Sequence, residues 1–443
     1  MSRNSFTFED LIAPHPPDEF LRDTWEKRPL LVARGAARHF EGLLSLSDVD
    51  KVIAFSRPKF TDPSEFRTTA PRQPTFVRGL LDDQPVPPEV NPGIAEIRQV
   101  FDQGRSVVIM AMQQRWQPVA ELCRNLETVF HCPVHANMYL TPPGSQGFAP
   151  HFDTHEVFVV QLDGAKHWRL YDAAEPLPLV SEHTGPPTMP LGTRREARLV
   201  AGDSLYIPRG HVHEAFTSDC ASLHLTVGVN VYRWVDLLRH ALSSAGRRDQ
   251  RFRESIPGGA LPSGQTELRR HFRQLLESLI DDMSTDTLFD RALHSLGDQF
   301  FERLQMLPGG QFAIATAADR LDSETVLEKR PFQAVCRVVD LENGGVAIEF
   351  PGNRVEGPPR IGAALRFIAG ATRFAVRELP GELNEEARLV LARRLVREGL
   401  LAAVEGAQPE TSNVFSRGAF LENDHANDST TRQLAETVGI ARS

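Results

Sequence analysis

Two imidazoles and a carboxylate can grip a divalent metal from one side and leave its other side free for chemistry. The stretch GFAPHFDTHEVFVVQL, residues 147–162, carries His151 and Asp153 at alternate positions just ahead of a valine-rich run. In an extended chain, residues i and i+2 point to one face, so both side chains reach the same ion. A third ligand must come from elsewhere, and GDSLYIPRGHVHEAF offers it. Pro208, Gly210 and His213 follow Gly202 at offsets of six, eight and eleven. That spacing puts an imidazole just past a Pro-x-Gly turn, at the start of the next strand. The set is that of the 2-His-1-carboxylate triad of non-haem Fe(II), which has three open positions. A 2-oxo acid can fill two of them through its carboxylate and keto oxygens, and O2 the third.

Other histidines lie close by. His211 stands two residues before His213, but Gly210 argues that it is still in the turn, so His213 is the expected ligand. His155 is expected at the mouth of the site or in solvent, and His224 lining a strand.

The elements around these residues are dense in β-structure. VHANMYLTPP alternates, EVFVVQLDG reads as a strand ending in a turn, and AKHWRLYD alternates again. Two strands flank Gly202-Asp203, and SLHLTVGVNVY follows. Short strands with turn signals every eight to twelve residues indicate a sandwich or barrel. Before this region, residues 1–50 read as helices and turns with a short strand at LLVARG, and residues 55–92 as loop. AEIRQVFDQGRSVVIMAM reads as a helix, a stop at Gly104 and a strand, and PVAELCRNLETVF as a further helix. After Tyr232, RWVDLLRHALSSA, ELRRHFRQLLESLIDDM and DTLFDRALHSLGDQFFERLQML carry apolar residues at helical spacing, with stripes that need a partner surface. Residues 310–405 mix helices with the short strands AVCRVVDLE and GVAIEF.

Composition bounds the rest. At 443 residues the chain can bury more than one core, and a formal net charge of -9 argues against nucleic acid as the main partner. The four cysteines form no CxxC pair, which fits a reducing compartment. The amino-terminal stretch lacks an apolar h-region and no apolar run reaches membrane-span length, so no membrane association and a cytoplasmic location are expected. Lysine is scarce: Lys27, Lys51, Lys59, Lys166 and Lys329 are the only five, so Lys166 on a barrel strand is informative.

The paired stretches APHFDTHEVFVVQLDGAKHWRLYD and GDSLYIPRGHVHEAF resemble the cupin-type JmjC oxygenases, in their ribosomal oxygenase branch. The likeness extends to NMYLTPPGSQGFAPHFD and WEKRPLLV; it is dense over residues 135–230 and architectural after that. It implies an α+β fold in which a double-stranded β-helix (cupin/JmjC) catalytic domain spans 1–232. A helical dimerisation segment over 233–306 and a winged-helix-like domain over 307–405 would follow. Residues 406–443 are polar and are expected to form a mobile tail. The implied cofactors are Fe(II), 2-oxoglutarate as cosubstrate, and O2. His151, Asp153 and His213 match the family's iron ligands. Lys166 matches the basic residue that holds the far carboxylate of 2-oxoglutarate, Asn137 a pocket-lining asparagine, and Tyr139 is a candidate contact to cosubstrate or substrate. Physics agrees for Lys166, since a dicarboxylate in a desolvated barrel needs a cation at its distal end. His155 departs from the residue types expected there, which bears on the substrate and not on the metal.

The resemblance implies hydroxylation of a protein or peptide side chain, with a ribosomal protein as the leading substrate and a homodimer as the assembly. N-methyl-lysine demethylation uses the same chemistry, and a small molecule or peptide natural product is a further alternative. Two readings of another class compete. A metal-binding cupin regulator would need a basic DNA-reading wing, yet Asp319 to Glu405 holds 13 Lys and Arg against 14 Asp and Glu. A cupin isomerase or lyase would have no use for Lys166.

Overall fold

The computed structural model describes residues 5–56, 59–61, 77–80, 93–179, 191–257, 265–283, 286–341 and 343–404. The tail expected over 406–443 lies outside the described residues, as does most of the loop-rich stretch 55–92. Two compact units are present: one holds Met1–Gly310, Pro331–Val335 and Phe350–Asn353, the other Gln311–Arg330, Cys336–Glu349 and Arg354–Ser443.

The first unit opens with helices α1 (Phe8–Ile12) and α2 (Pro17–Asp23), strand β1 (Leu30–Val32) and helix α3 (Leu46–Lys51). Thr7 and Asp10 close a capping box that starts α1. Short strands β2 (Lys59–Thr61) and β3 (Val77–Leu80) fall in the stretch read as loop. They form because β3 pairs in parallel with β4 (Val107–Ile109), which follows helix α4 (Ile94–Asp102). Helix α5 (Gln117–Phe130) buries Val119, Leu122, Cys123 and Leu126, the i, i+3, i+4, i+7 face of an amphipathic helix. The strands β5 (Val134–Thr141), β6 (Glu156–Ala173), β7 (Arg195–Val200), β8 (Ser204–Ile207), β9 (His211–Phe216) and β10 (Ser222–Val229) complete the β region.

Strand β6 organises that region. Its first half lies between β8 and β10 in a sheet ordered β1-β8-β6-β10-β5-β4-β3-β2, and its second half pairs with β7 and β9. The turn expected at Asp163-Gly164 is instead a bend within one continuous strand. Ser222 faces Gly164 and Leu223 faces Asp163, but His224 faces Gln161, so Leu162 is an extra residue: a β-bulge. Gly164 has φ +62°, and a Cβ there would lie 1.8 Å from the Ala221 carbonyl oxygen. Only glycine fits, and the chain can pass from one sheet to the other without leaving the strand.

Alternation then sorts the side chains. Val157 and Val159 point to one side with Leu205, Ile207, Leu199, Trp168, Leu170 and Ala215, lining the inside of the β structure. Phe158, Val160 and Tyr206 point outward and are buried under Phe8, Leu11, Phe20 and the apolar face of α5. Helices α6 (Trp234–Arg248), α7 (Gln265–Met283) and α8 (Asp286–Phe301) follow. Ala241, Leu288 and Ala292 pack together with Leu237 and Leu279. Among the described residues no helix is long and apolar enough to cross a membrane.

The second unit contains α9 (Gln311–Ala317), β11 (Val326–Lys329), β12 (Arg337–Asp340), β13 (Val346–Phe350), β14 (Asn353–Gly357), α10 (Gly362–Gly370), β15 (Arg373–Ala375), α11 (Glu385–Arg397) and β16 (Leu401–Ala403). Its strands form two three-stranded sheets, β15-β11-β16 and β12-β13-β14. Leu391 and Leu395 of α11 are buried, as their spacing requires.

Replacing Gly164 by alanine sets the new Cβ against the Ala221 carbonyl in a left-handed conformation. We expect G164A to lower the unfolding free energy by about 3 kcal/mol. Urea denaturation measures this, and an unchanged midpoint would contradict the bulge's role.

Candidate metal centre

His151, Asp153 and His213 meet, with one ligand atom from each lying within 4.8 Å of the others. Backbone pairing brings them together. The His151 N–H donates to the His213 carbonyl at 3.1 Å, the His213 N–H donates to the His151 carbonyl at 2.8 Å, and the Gly210 N–H donates to the Asp153 carbonyl at 2.9 Å. The two imidazole centroids are therefore 4.5 Å apart, and His213 Nε2 is 3.5 Å from Asp153 Oδ2.

The ring orientations suit ligation. His151 Nδ1 lies 2.8 Å from the Ala149 carbonyl and His213 Nδ1 lies 3.0 Å from the His211 carbonyl. A carbonyl only accepts, so each Nδ1 carries the proton and each Nε2 keeps its lone pair for a metal. Burial, then the neighbouring His151, pushes the His213 pKa down to about 4, so its imidazole is neutral at neutral pH. Burial works against the Asp153 carboxylate. Where they are protonated at acid pH, the neighbouring imidazoles of His155, His213 and His151 outweigh that effect and hold its pKa below the usual value. A divalent cation between two neutral imidazoles and a carboxylate matches this donor set.

His211 closes the turn, its N–H donating to the Pro208 carbonyl at 3.2 Å. It opens β9, opposite Ala173, while His213 stands opposite Leu170. The extra residue in β6 between those pairs is a second bulge, on the strand opposite His211 and His213. His211 sits in the field of Arg195 and Asp172 and is not one of the three clustered residues. His155 stands over His135 at 4.8 Å, and His224 lines strand β10.

Deeper in the barrel, Lys166 is 2% exposed and donates from Nζ to Thr141 Oγ1 at 2.9 Å. Burial pushes its pKa down to about 7. Beside it are two orphaned buried groups, Trp168 Nε1 and His224 Nδ1. Trp168 lies 6.1 Å from His213 and 5.6 Å from His224, linking the lysine end to the metal end. A buried ammonium and an unpartnered N–H are the donors that an anion with acceptor oxygens would satisfy. Tyr139 stacks on His224 at 4.9 Å with a 9° interplanar angle. Asn137 is buried two residues away on β5, and its Oδ1 accepts from the Ala111 N–H at 3.1 Å.

One feature of the support was not legible as a motif. Glu156 is fully buried, accepting from Arg209 Nη1 at 2.5 Å and from Tyr206 OH at 2.5 Å. Arg209 also reaches Glu26, whose N–H donates to Tyr206 OH at 2.8 Å. Glu156 is three residues past one metal ligand and Arg209 four before another, so this network ties both ligand-bearing segments to the WEKRP turn. Sequence spacing marks the ligands but not such partners, because Glu26 and Arg209 are 183 positions apart.

Residues 109–237 match the JmjC domain family. The chain carries a JmjC domain. It is 32% identical over 309 residues to the bifunctional lysine-specific demethylase and histidyl-hydroxylase NO66 of Aedes aegypti, covering 66% of this chain and 47% of that protein. It is 31% identical over 314 residues to ribosomal oxygenase 1 of Gallus gallus, covering 65% and 50%. The chain thus spans about half the length of these relatives. Against mouse ribosomal oxygenase 2 it is 31% identical over 324 residues, covering 68% and 66%. Among solved structures, YcfD of Escherichia coli aligns with a TM-score of 0.51 at 17% identity, covering 88% of this chain and 98% of that one. This last likeness speaks to fold alone. The JmjC match spans the metal cluster and Lys166.

Replacing Arg209 by methionine strands the Glu156 carboxylate in the protein interior. We expect R209M to lose about 3–5 kcal/mol of stability, and the R209M/E156Q double variant to recover part of that loss by removing the buried charge. Urea unfolding of the single and double variants checks this; a double variant at least as unstable as R209M would contradict the ion-pair account.

Proposed function

We propose that the protein is an Fe(II)- and 2-oxoglutarate-dependent oxygenase that hydroxylates a carbon on a protein or peptide side chain. The observation that carries this reading is the combination of a one-sided His151–Asp153–His213 cluster with a buried lysine further inside the same barrel. A metal cluster alone would serve many cupin reactions; the buried Lys166, with no ion-pair partner among the described residues, adds a demand for an anionic cosubstrate.

In this reading the two Nε2 atoms and the Asp153 carboxylate hold the metal. Lys166 Nζ and Thr141 take the distal carboxylate of 2-oxoglutarate, with Trp168 Nε1 as a further donor. Tyr139 and His224 wall the pocket and exclude water, and Asn137 shapes it behind them. When bound, Fe(II) with 2-oxoglutarate and O2 supplies an oxidant able to hydroxylate an unactivated carbon, releasing succinate and carbon dioxide. The protein's own share is to orient the cosubstrate, keep the site dry and present the substrate carbon at the open side of the triad.

The barrel is in this reading a double-stranded β-helix, and the second unit a winged-helix-like domain. Ribosomal oxygenase relatives support a ribosomal protein as the substrate class, and the printed names of the NO66 relatives support lysine demethylation as the second activity. A homodimer is supported by two apolar stripes at i, i+4, i+8. Trp234, Leu238 and Leu242 on α6 are 80%, 51% and 48% exposed, and Phe272, Leu276 and Ile280 on α7 are likewise exposed. A cytoplasmic location completes the proposal.

Anaerobic titration of the Fe(II) protein with 2-oxoglutarate tests the reading. We expect a visible metal-to-ligand charge-transfer band, absent in D153A and shifted to at least about 100-fold higher concentration in K166M. Binding a carboxylate requires the lysine charged. The free protein loses that proton as pH rises through about 7, so apparent affinity should be full below that pH. Above it, affinity should fall about tenfold per pH unit. No band, or affinity independent of pH between 6 and 9, would contradict the proposal.

A further inference from the structure

A cleft of about 430 Å³ reaches Thr154, the residue after Asp153, and its lining includes none of the residues assigned to metal or cosubstrate. Thr154, between the ligand Asp153 and His155, lines it, and so does Asn230. Asn230 Nδ2 lies 3.3 Å from the Pro133 carbonyl and 3.0 Å from His135 Nδ1. A carbonyl only accepts, so the contacting atom is the amide nitrogen, and His135 Nδ1 is the acceptor. The neutral imidazole therefore carries its proton on Nε2 as a donor. His135 and His155 are held together above Gly228, where a Cβ would come within 2.4 Å of one ring and 2.6 Å of the other. Glycine at 228 makes room for this pair of imidazoles, one of which is bonded to the cleft residue Asn230.

Along the cleft the balance of donors and acceptors is lopsided. Asp236 contributes the carboxylate of the lining, and it is already engaged by Arg233 at 2.8 Å and Arg239 at 3.2 Å. Arg303 has no ion-pair partner among the described residues, and Gln299 beside it adds an amide. Arg233 Nη1 and the Tyr232 hydroxyl are buried without hydrogen-bond partners. Such a lining calls for a ligand that brings acceptors and negative charge. The volume suits a few residues of polypeptide and far exceeds one inorganic anion. An extended chain supplies a carbonyl acceptor at every residue.

We propose that this cleft docks the substrate polypeptide beside the residue to be modified, placing an Asp or Glu side chain of that segment on Arg303. The proposal rests on the oxygenase reading for calling the segment a substrate. It also divides recognition in two. The overall charge of -9 attracts basic proteins, and the cleft selects, among these, segments with an acid at a fixed step from the target.

The test is selection of a random 12-residue peptide library on the full chain loaded with Mn(II) and 2-oxoglutarate under argon. Enriched peptides should carry Asp or Glu at one fixed position. Arg303→Glu should move the preference at that position to Lys or Arg and weaken the wild-type winner at least about tenfold. Gln299→Glu should act in the same direction but less. No enrichment, enrichment without a fixed acid, or unchanged preference in both variants would overturn the proposal. The charge-transfer band of the wild-type Fe(II) protein reads the oxygenase assignment separately: a missing band with intact acidic selection would sink that assignment and leave the cleft a peptide site.

Discussion

The whole site depends on a reciprocal pair of backbone hydrogen bonds between His151 and His213. These two residues are 62 positions apart, yet their N–H and carbonyl groups satisfy each other, so their Nε2 atoms are held side by side before any ion arrives. Each imidazole is then locked by its own Nδ1 to a carbonyl two residues upstream. Preorganisation of this kind spares the metal the cost of assembling its ligands, and it confines all three to one side. Everything proposed for the open side, cosubstrate and substrate alike, follows from that asymmetry.

Around this pair the protein arranges charge by burial. Lys166 sits where its ammonium is expensive, with the Thr141 hydroxyl and, among the described residues, no carboxylate for company, so burial lowers its pKa; in the proposed reading an incoming anion would restore it. The opposite solution appears behind the site, where Arg209 and Glu156 are both buried and neutralise each other, the guanidinium also reaching Glu26. In the proposed reading one charge waits for a ligand, while the other is consumed by structure.

Much of this was legible in the sequence because it depends on short-range periodicity. His151 and Asp153 share a face by strand geometry, and Gly202, Pro208 and Gly210 punctuate the approach to His213. The scarcity of lysine singled out Lys166. What escaped were features that violate simple alternation. The bulge at Leu162 and Gly164 turns an expected hairpin into a single 18-residue strand, and a second bulge sets the register of β6 against His211 and His213. Neither can be read from residue types, since a glycine in a strand pattern fits a turn as well as a bend. Long-range partners such as Glu26 and Arg209, and the pairing of His135 with His155 over Gly228, require the fold itself.

The most direct test of the one-sided triad is pulsed electron paramagnetic resonance on the Mn(II)-loaded protein with nitrogen-15 histidine. The account predicts couplings to two imidazole nitrogens, together with exchangeable water protons in the inner sphere that diminish when 2-oxoglutarate is added. H155A and H211A should keep both nitrogen couplings, and H213A should lose one. A third coordinating imidazole in the wild-type protein, or a metal without water in its inner sphere, would contradict it.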